Sequence, residues 1–99
     1  MEVGKVYTFK MNSGEEVIAK VVAAPVGSNY VNVETPVSVA PGPQGMGLIQ
    51  SLFTADPDQA IQVNMNCVAI HGLTDDSVRM KYIEATTGIK VPEKKILVG

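Results

Sequence analysis

The sequence predicts a mainly β protein: a strongly bent antiparallel sheet of five strands in one meander, followed by one C-terminal helix and an extended tail. Three observations predict it. Short segments with period-2 alternation of apolar residues recur along the chain, each closed by Gly, Pro or Asn. The composition is 45% hydrophobic with only three Tyr and two Phe, so the core must be built from Val, Ile, Ala, Met and Leu, side chains that suit a small sheet. Only one segment carries helical spacing behind an acidic N-cap.

The first strand is read in KVYTFKM, residues 5–11, where Tyr7, Phe9 and Met11 share one face and Val6, Thr8 and Lys10 the other. Asn12-Ser13-Gly14 supplies the turn, with Gly able to take positive φ. The second strand, Glu16 to Ala23, sends Val17, Ala19 and Val21 to one side and Ile18, Lys20 and Val22 to the other, so both faces are partly apolar. After a break from Pro25 to Asn29, YVNVETPVSV reads as a third strand bent or bulged at Pro36, because proline donates no ladder hydrogen bond. APGPQGMG, residues 40–47, packs two prolines and three glycines into eight positions and is expected as a loop, either a mobile tip or a partner-contacting arm. LIQSLF follows, a short apolar run ending at the turn-rich TADPDQ. AIQVN and CVAIHGL, flanking Met65 and Asn66, read as the fourth and fifth strands with a very tight connection.

The helix is expected to begin at Thr74, Asp75 or Asp76, with the acids at the positive end of its dipole, to carry a Val78, Tyr82, Ala85 stripe, and to end near Gly88. The tail, IKVPEKKILV, reads as an added strand or as a segment that packs on another subunit. No internal repeat or linker divides the chain, so residues 1–73 and 74–99 are expected to form one domain.

With 99 residues, the domain buries about 60 to 65% of the surface its unfolded chain exposes, and a domain this small often borrows stability from a partner. Its net charge of −2 provides no global basic field to concentrate phosphates, which argues against non-specific nucleic-acid binding. The single cysteine, Cys67, rules out an internal disulfide framework and fits a reducing compartment. The start lacks an apolar signal core and no apolar run reaches membrane-spanning length, so a cytoplasmic protein without membrane contact is expected.

The stretch MNSGEEVIAKV, with Gly14 at the turn and Ala19 at a small position in an alternating strand, resembles the first half of the first motif of the Sm and like-Sm proteins. Tyr30-Val31-Asn32 resembles its second half, an aromatic or His followed by Met-Asn. Val63-Asn64-Met65-Asn66 running into CVAI resembles the second motif; a competing register on Ile70-His71-Gly72 leaves too little chain for a fifth strand. The resemblance covers roughly residues 5–72. The opening KVYTFKMNSGEEVIAKVV, the third-strand TPVSVAPGP and the closing KYIEATTGIKVP are similar to short Sm-like proteins of tailed bacteriophages, cyanophages among them, which implies the host cytoplasm. Departures are equally visible: no acid precedes Tyr30, Asn64 and Met65 stand where the second motif has Arg and Gly, and the helix follows the strands instead of preceding them.

The resemblance implies a small open barrel that assembles into a homo-oligomeric ring of about five to seven subunits. It also implies a pore at which single-stranded RNA is bound. In that reading Tyr30 supplies a ring face for base stacking, Asn32 an amide for a base edge, and Asn64 or Asn66 the opposite wall. The alternative is that Tyr30 covers the end of the sheet and that Asn29, Asn32, Asn64 and Asn66 are turn residues, Asn being tolerant of left-handed backbone. A ring that serves instead as a structural or adaptor assembly for a protein partner is the second functional reading. Exposed strand edges must be protected or paired, and Ile18, Val22, LIQSLF and the ILV of the tail are candidate interface surface.

Cys67 and His71 are four apart, on one face of a strand, but a zinc site wants three or four protein ligands; Cys67 is expected as a small buried hydrophobe and His71 as a polar strand-end residue. No nucleophile lies beside a base and no Gly-rich phosphate loop occurs, so neither catalysis nor a cofactor is expected.

Overall fold

The computed structural model describes residues 1–96, with side chains through Thr87. Six strands form one antiparallel sheet: β1 (Val6–Met11), β2 (Glu16–Ala23), β3 (Tyr30–Gly42), β4 (Gly45–Gln50), β5 (Ile61–Asn64) and β6 (Val68–Leu73). A 3-10 turn at Met65–Cys67 links β5 to β6, and helix α1 (Asp76–Ile96) follows. The strand order is β4-β3-β2-β1-β6, with β5 pairing the first half of β3. The sheet is not closed into a barrel: among the described residues no ladder joins its end strands, β4 and β6.

The bend in β3 organises everything else. Ile18 lies opposite Val37, yet Lys20 lies opposite Glu34, so β3 spends three residues where β2 spends two. The extra residue forms a bulge at Thr35-Pro36, where Thr35 has φ 48°. A one-residue slip sends the following side chains to the opposite face. Val31 and Val33 therefore join one core with Tyr7, Phe9, Val17, Ala19 and Val21, whereas Val37 joins a second core with Val6, Ile18 and Tyr82. Two-sided alternation in β2 is thereby used on both sides: Val17, Ala19 and Val21 fill the concave core, and Ile18 meets the helix. Full burial of a Val, Ile or Phe side chain stabilises by about 1.5 to 3 kcal/mol, and Phe9, Ile18, Val21, Val33 and Val37 are all sealed from solvent.

Helix α1 closes the second core with Val78 and Tyr82. Its N-cap is Asp75, whose Oδ2 accepts the Ser77 and Val78 N–H groups at 3.1 and 3.3 Å and the Ser77 hydroxyl at 2.6 Å. These bonds, led by the Ser77 hydroxyl, hold the Asp75 carboxyl below the usual carboxylate range. The Tyr82 hydroxyl reaches into the bulge. It donates to the carbonyls of Glu34 (2.9 Å) and Thr35 (3.0 Å) and accepts the Lys20 N–H at 3.2 Å, main-chain groups that the slipped ladder leaves over. Burial pushes its pKa up to about 12.

Three expectations are corrected. The Pro/Gly-rich stretch at residues 40–47 is not a loop but the end of β3, a two-residue turn at Pro43-Gln44 and the start of β4, which makes six strands instead of five. Prolines are tolerated there because β3 beyond Ser38 pairs only with β4, leaving its other edge without a ladder, and Gly45 takes the positive φ (106°) that closes the hairpin. The helix does not stop near Gly88 and no extended tail follows it through Ile96, since a glycine inside a helix costs only about 1 kcal/mol relative to alanine. The apolar side chains of Ile96, Leu97 and Val98 lie outside the described residues. Cys67 is exposed, not buried, because it sits in the 3-10 turn outside the alternation of β6. Among the described residues no helix is long and apolar enough to cross a membrane.

Candidate functional site

Three turns meet at one corner of the sheet: the β1–β2 turn, the entry to β3 and the 3-10 turn before β6. Each is tied to the next. The Asn12 N–H donates to the Cys67 carbonyl at 2.7 Å and its Nδ2 to the Asn66 carbonyl at 3.2 Å. The Met65 N–H donates to the Asn29 carbonyl at 2.7 Å, and the Tyr30 N–H to Ser28 Oγ at 3.1 Å.

On this frame the β3–β5 ladder sets Tyr30 directly opposite Asn64 and Asn32 opposite Gln62. Directly paired side chains share a face at about 4.5 to 5.5 Å between Cβ atoms. Because Val31 and Val33 point into the concave core, Tyr30, Asn32, Gln62 and Asn64 together line the other face of the ribbon. Tyr30 is 43% exposed. Asn64 is half-buried and partly committed: its Oδ1 accepts the Asn66 N–H at 2.9 Å, capping the 3-10 turn. Its Nδ2 remains a donor for a ligand edge. Asn66 is exposed on the turn, two residues beyond the ladder.

The sheet thus brings Tyr30, Asn32 and Asn64 into one constellation and sets Asn66 at its border. Gln62 is the member that sequence reasoning missed. Alternation in AIQVN marks it as facing away from Ile61 and Val63, but only the ladder register shows that it faces Asn32. The turn role of Asn64 is also real, since its side chain caps the 3-10 turn.

The side chains set together there, Tyr30, Asn32, Gln62, Asn64 and Asn66, are amides and one phenol, none of them cationic. Their capacity is for stacking and for paired donor–acceptor contacts, not for gripping phosphate. Cations lie elsewhere. Lys5, Lys20 and Arg79 border a groove of about 670 Å³ under the start of α1, floored by Tyr82 and Val6. They are balanced there by Glu34 and Asp76 and by exposed ion pairs, Lys5 with Glu2 at 3.9 Å and Arg79 with Asp76 at 3.5 Å.

Cys67 and His71 do not form a pair. Cys67 stands in the turn, while His71 lies within β6 with its ring centroid 6.5 Å from that of Phe9. Among the described residues no group of three or more His, Cys, Asp or Glu side chains is placed to hold a metal ion. No protein-family model matches the chain and no curated protein matches it, so the corner's chemistry rests on its own residues.

Proposed function

We propose that this chain is an Sm-like protein that assembles edge to edge into a homo-oligomeric ring and presents Tyr30, Asn32, Asn64 and Asn66 to the bases of single-stranded RNA, a binding role and not a catalytic one. The observation that carries the assembly is a matched pair of open edges. The sheet order begins with β4 and ends with β6, each six residues long and each showing aliphatic side chains to solvent: Met46 and Ile49 on β4, Ile70 and Leu73 on β6. Open edges of this kind invite pairing with another chain, and a head-to-tail pairing of unlike edges closes into a ring when the rotation permits. The tight turn at Met65–Cys67 falls on the stretch that resembles the second Sm motif, and the Gly14 turn on the first, which supports the family reading.

RNA contact follows from the corner. Stacking a base on an aromatic ring is worth about 1 to 3 kcal/mol and tolerates any base, and Tyr30 is partly exposed beside three amides. A ring repeats that weak site several times around one axis, which multiplies affinity without phosphate contacts in each copy. The second reading, an adaptor ring for a protein partner, is favoured by the net charge of −2 and by the lack of a cation among Tyr30, Asn32, Asn64 and Asn66.

Native mass spectrometry of untagged protein purified without nuclease distinguishes them. The expected spectrum is a closed oligomer carrying nucleic-acid mass that Tyr30→Ala removes while leaving the subunit number unchanged. A bare ring supports the adaptor, and a monomer at all concentrations overturns the assembly.

A further inference from the structure

Between β4 and β5 the chain makes an excursion, residues 51–60, that holds two solvent-facing apolar side chains side by side. Leu52 is 50% and Phe53 76% exposed. The excursion is not loose: the Ser51 N–H donates to the Pro36 carbonyl at 3.1 Å, the Ser38 and Ser51 hydroxyls are 2.9 Å apart, and the Asp58 N–H donates to Asp56 Oδ1 at 2.9 Å. Within its own subunit Phe53 lines only a small crevice of about 50 Å³ with Pro36 and Ile61, and most of its surface faces solvent. Asp56 and Asp58 stand beside it, both exposed.

A complementary surface lies at the other end of the sheet. On the β1–β6 ribbon, Thr8, Lys10, Ile70 and Gly72 border an open hollow of about 490 Å³, with Ile70 69% exposed. Gly72 deepens it, since a Cβ built there would meet nothing within 4 Å. Glu16 faces Lys10 across the ladder, but no ion pair within 4 Å joins them among the described residues, which leaves the ammonium available to an acid from outside.

We infer that residues 51–60 are an intersubunit clasp: Leu52 and Phe53 of one copy seat in the β1–β6 hollow of the next, with Asp56 or Asp58 reaching Lys10. This rests on the edge-to-edge assembly proposed above. Every ladder in the sheet is antiparallel. An antiparallel β4–β6 pairing between copies brings the exit of β4, and with it Leu52 and Phe53, to the Val68 end of the partner's strand, where Ile70 and Lys10 wait. Chain direction, apolar match and charge match agree on the same occupant, a second copy of this chain. The clasp gives the edge pairing, which any strand could accept, a side-chain lock that selects its own kind.

Exposed Cys67, the chain's only cysteine, immediately precedes β6 and serves as a reporter. Phe53→Cys treated with a short bismaleimide is expected to give a ladder of covalent oligomers that disappears in Phe53→Cys/Cys67→Ser. Leu52→Ser/Phe53→Ser, changed only at solvent-facing positions, is expected to keep wild-type circular dichroism, and wild-type melting at dilutions where both are dissociated, while its assembly dissociates at roughly tenfold higher concentration or more, as loss of a buried aromatic anchor does. Lys10→Glu is expected to weaken assembly and Asp56→Lys/Asp58→Lys to restore it. An intact assembly with no ladder and wild-type dissociation in the serine variant overturns the clasp and leaves the ring standing. A monomer in light scattering at every concentration overturns the ring itself, and the clasp with it.

Discussion

Tyr82 couples the helix to the bulge at Thr35-Pro36. Its ring fills the second core and its hydroxyl satisfies the carbonyls of Glu34 and Thr35 and the N–H of Lys20. Tyr82→Phe keeps the packing and strands three main-chain groups at a buried bulge, so a loss of about 1 to 3 kcal/mol is expected in urea unfolding, with the slope unchanged. The titration carries the same information. Burial raises the phenol in the folded protein to about 12, against about 10 unfolded, so the folded state favours the protonated form. That contribution is complete below pH ~10 and is lost as the pH rises towards ~12. Alkaline melting of wild type should therefore fall faster than that of Tyr82→Phe across this window, and parallel curves would disprove the role. Asp75 works in the opposite direction. Its carboxyl is lowered by the Ser77 hydroxyl and the Val78 N–H, so its cap is present above the usual carboxylate range and disappears as pH falls through it. Asp75→Ala should lower the melting temperature at pH ~7, and that difference should shrink as the pH falls below the usual carboxylate range and the wild-type cap takes up its proton.

At the scale of elements, the β3 bulge decides which face each valine serves. Pro36 announced a bend, because it has no N–H for the ladder, but not the flip of Val37 to the helix side. That flip depends on where β2 and β3 slip against each other, and register is a property of two strands at once. The same limit hid Gln62, whose neighbour Asn32 is fixed only by the β3–β5 ladder. Local chemistry was legible where it was sufficient: the Gly14 turn, the Tyr7/Phe9 face and the acidic start of α1 all follow from single segments. It misled where a composition signal had two structural uses, as in the Pro/Gly run that forms a hairpin and in Gly88 within the helix. Thr35 tests the bulge directly. A β-branched residue at φ 48°, immediately before a proline, is strained by about 1 to 3 kcal/mol. Thr35→Gly removes that strain and adds about 0.5 to 1 kcal/mol of backbone entropy cost, so the melting temperature should rise. A fall would mean that the Thr35 side chain contributes more than its backbone costs.

For the whole molecule the question is whether its two open edges recognise each other or themselves, and a pair of charges answers it. Ile49 on β4 and Ile70 on β6 both face solvent in the single chain, so replacing either by lysine should leave subunit stability within about 0.5 kcal/mol while guarding one edge against pairing. If pairing is head to tail, Ile49→Lys spoils the β4 edge and Ile70→Lys the β6 edge, and each variant alone is expected to be monomeric in analytical ultracentrifugation. Mixed together they still hold one sound edge each, β4 from the Ile70→Lys chain and β6 from the Ile49→Lys chain. The mixture should therefore form heterodimers and nothing larger, since the two remaining edges both carry lysine. A symmetric pairing gives a different pattern: with β6 against β6, Ile49→Lys alone would dimerise and mixing would add nothing. Continued growth of either single variant into the wild-type assembly would remove the edges from the interface altogether.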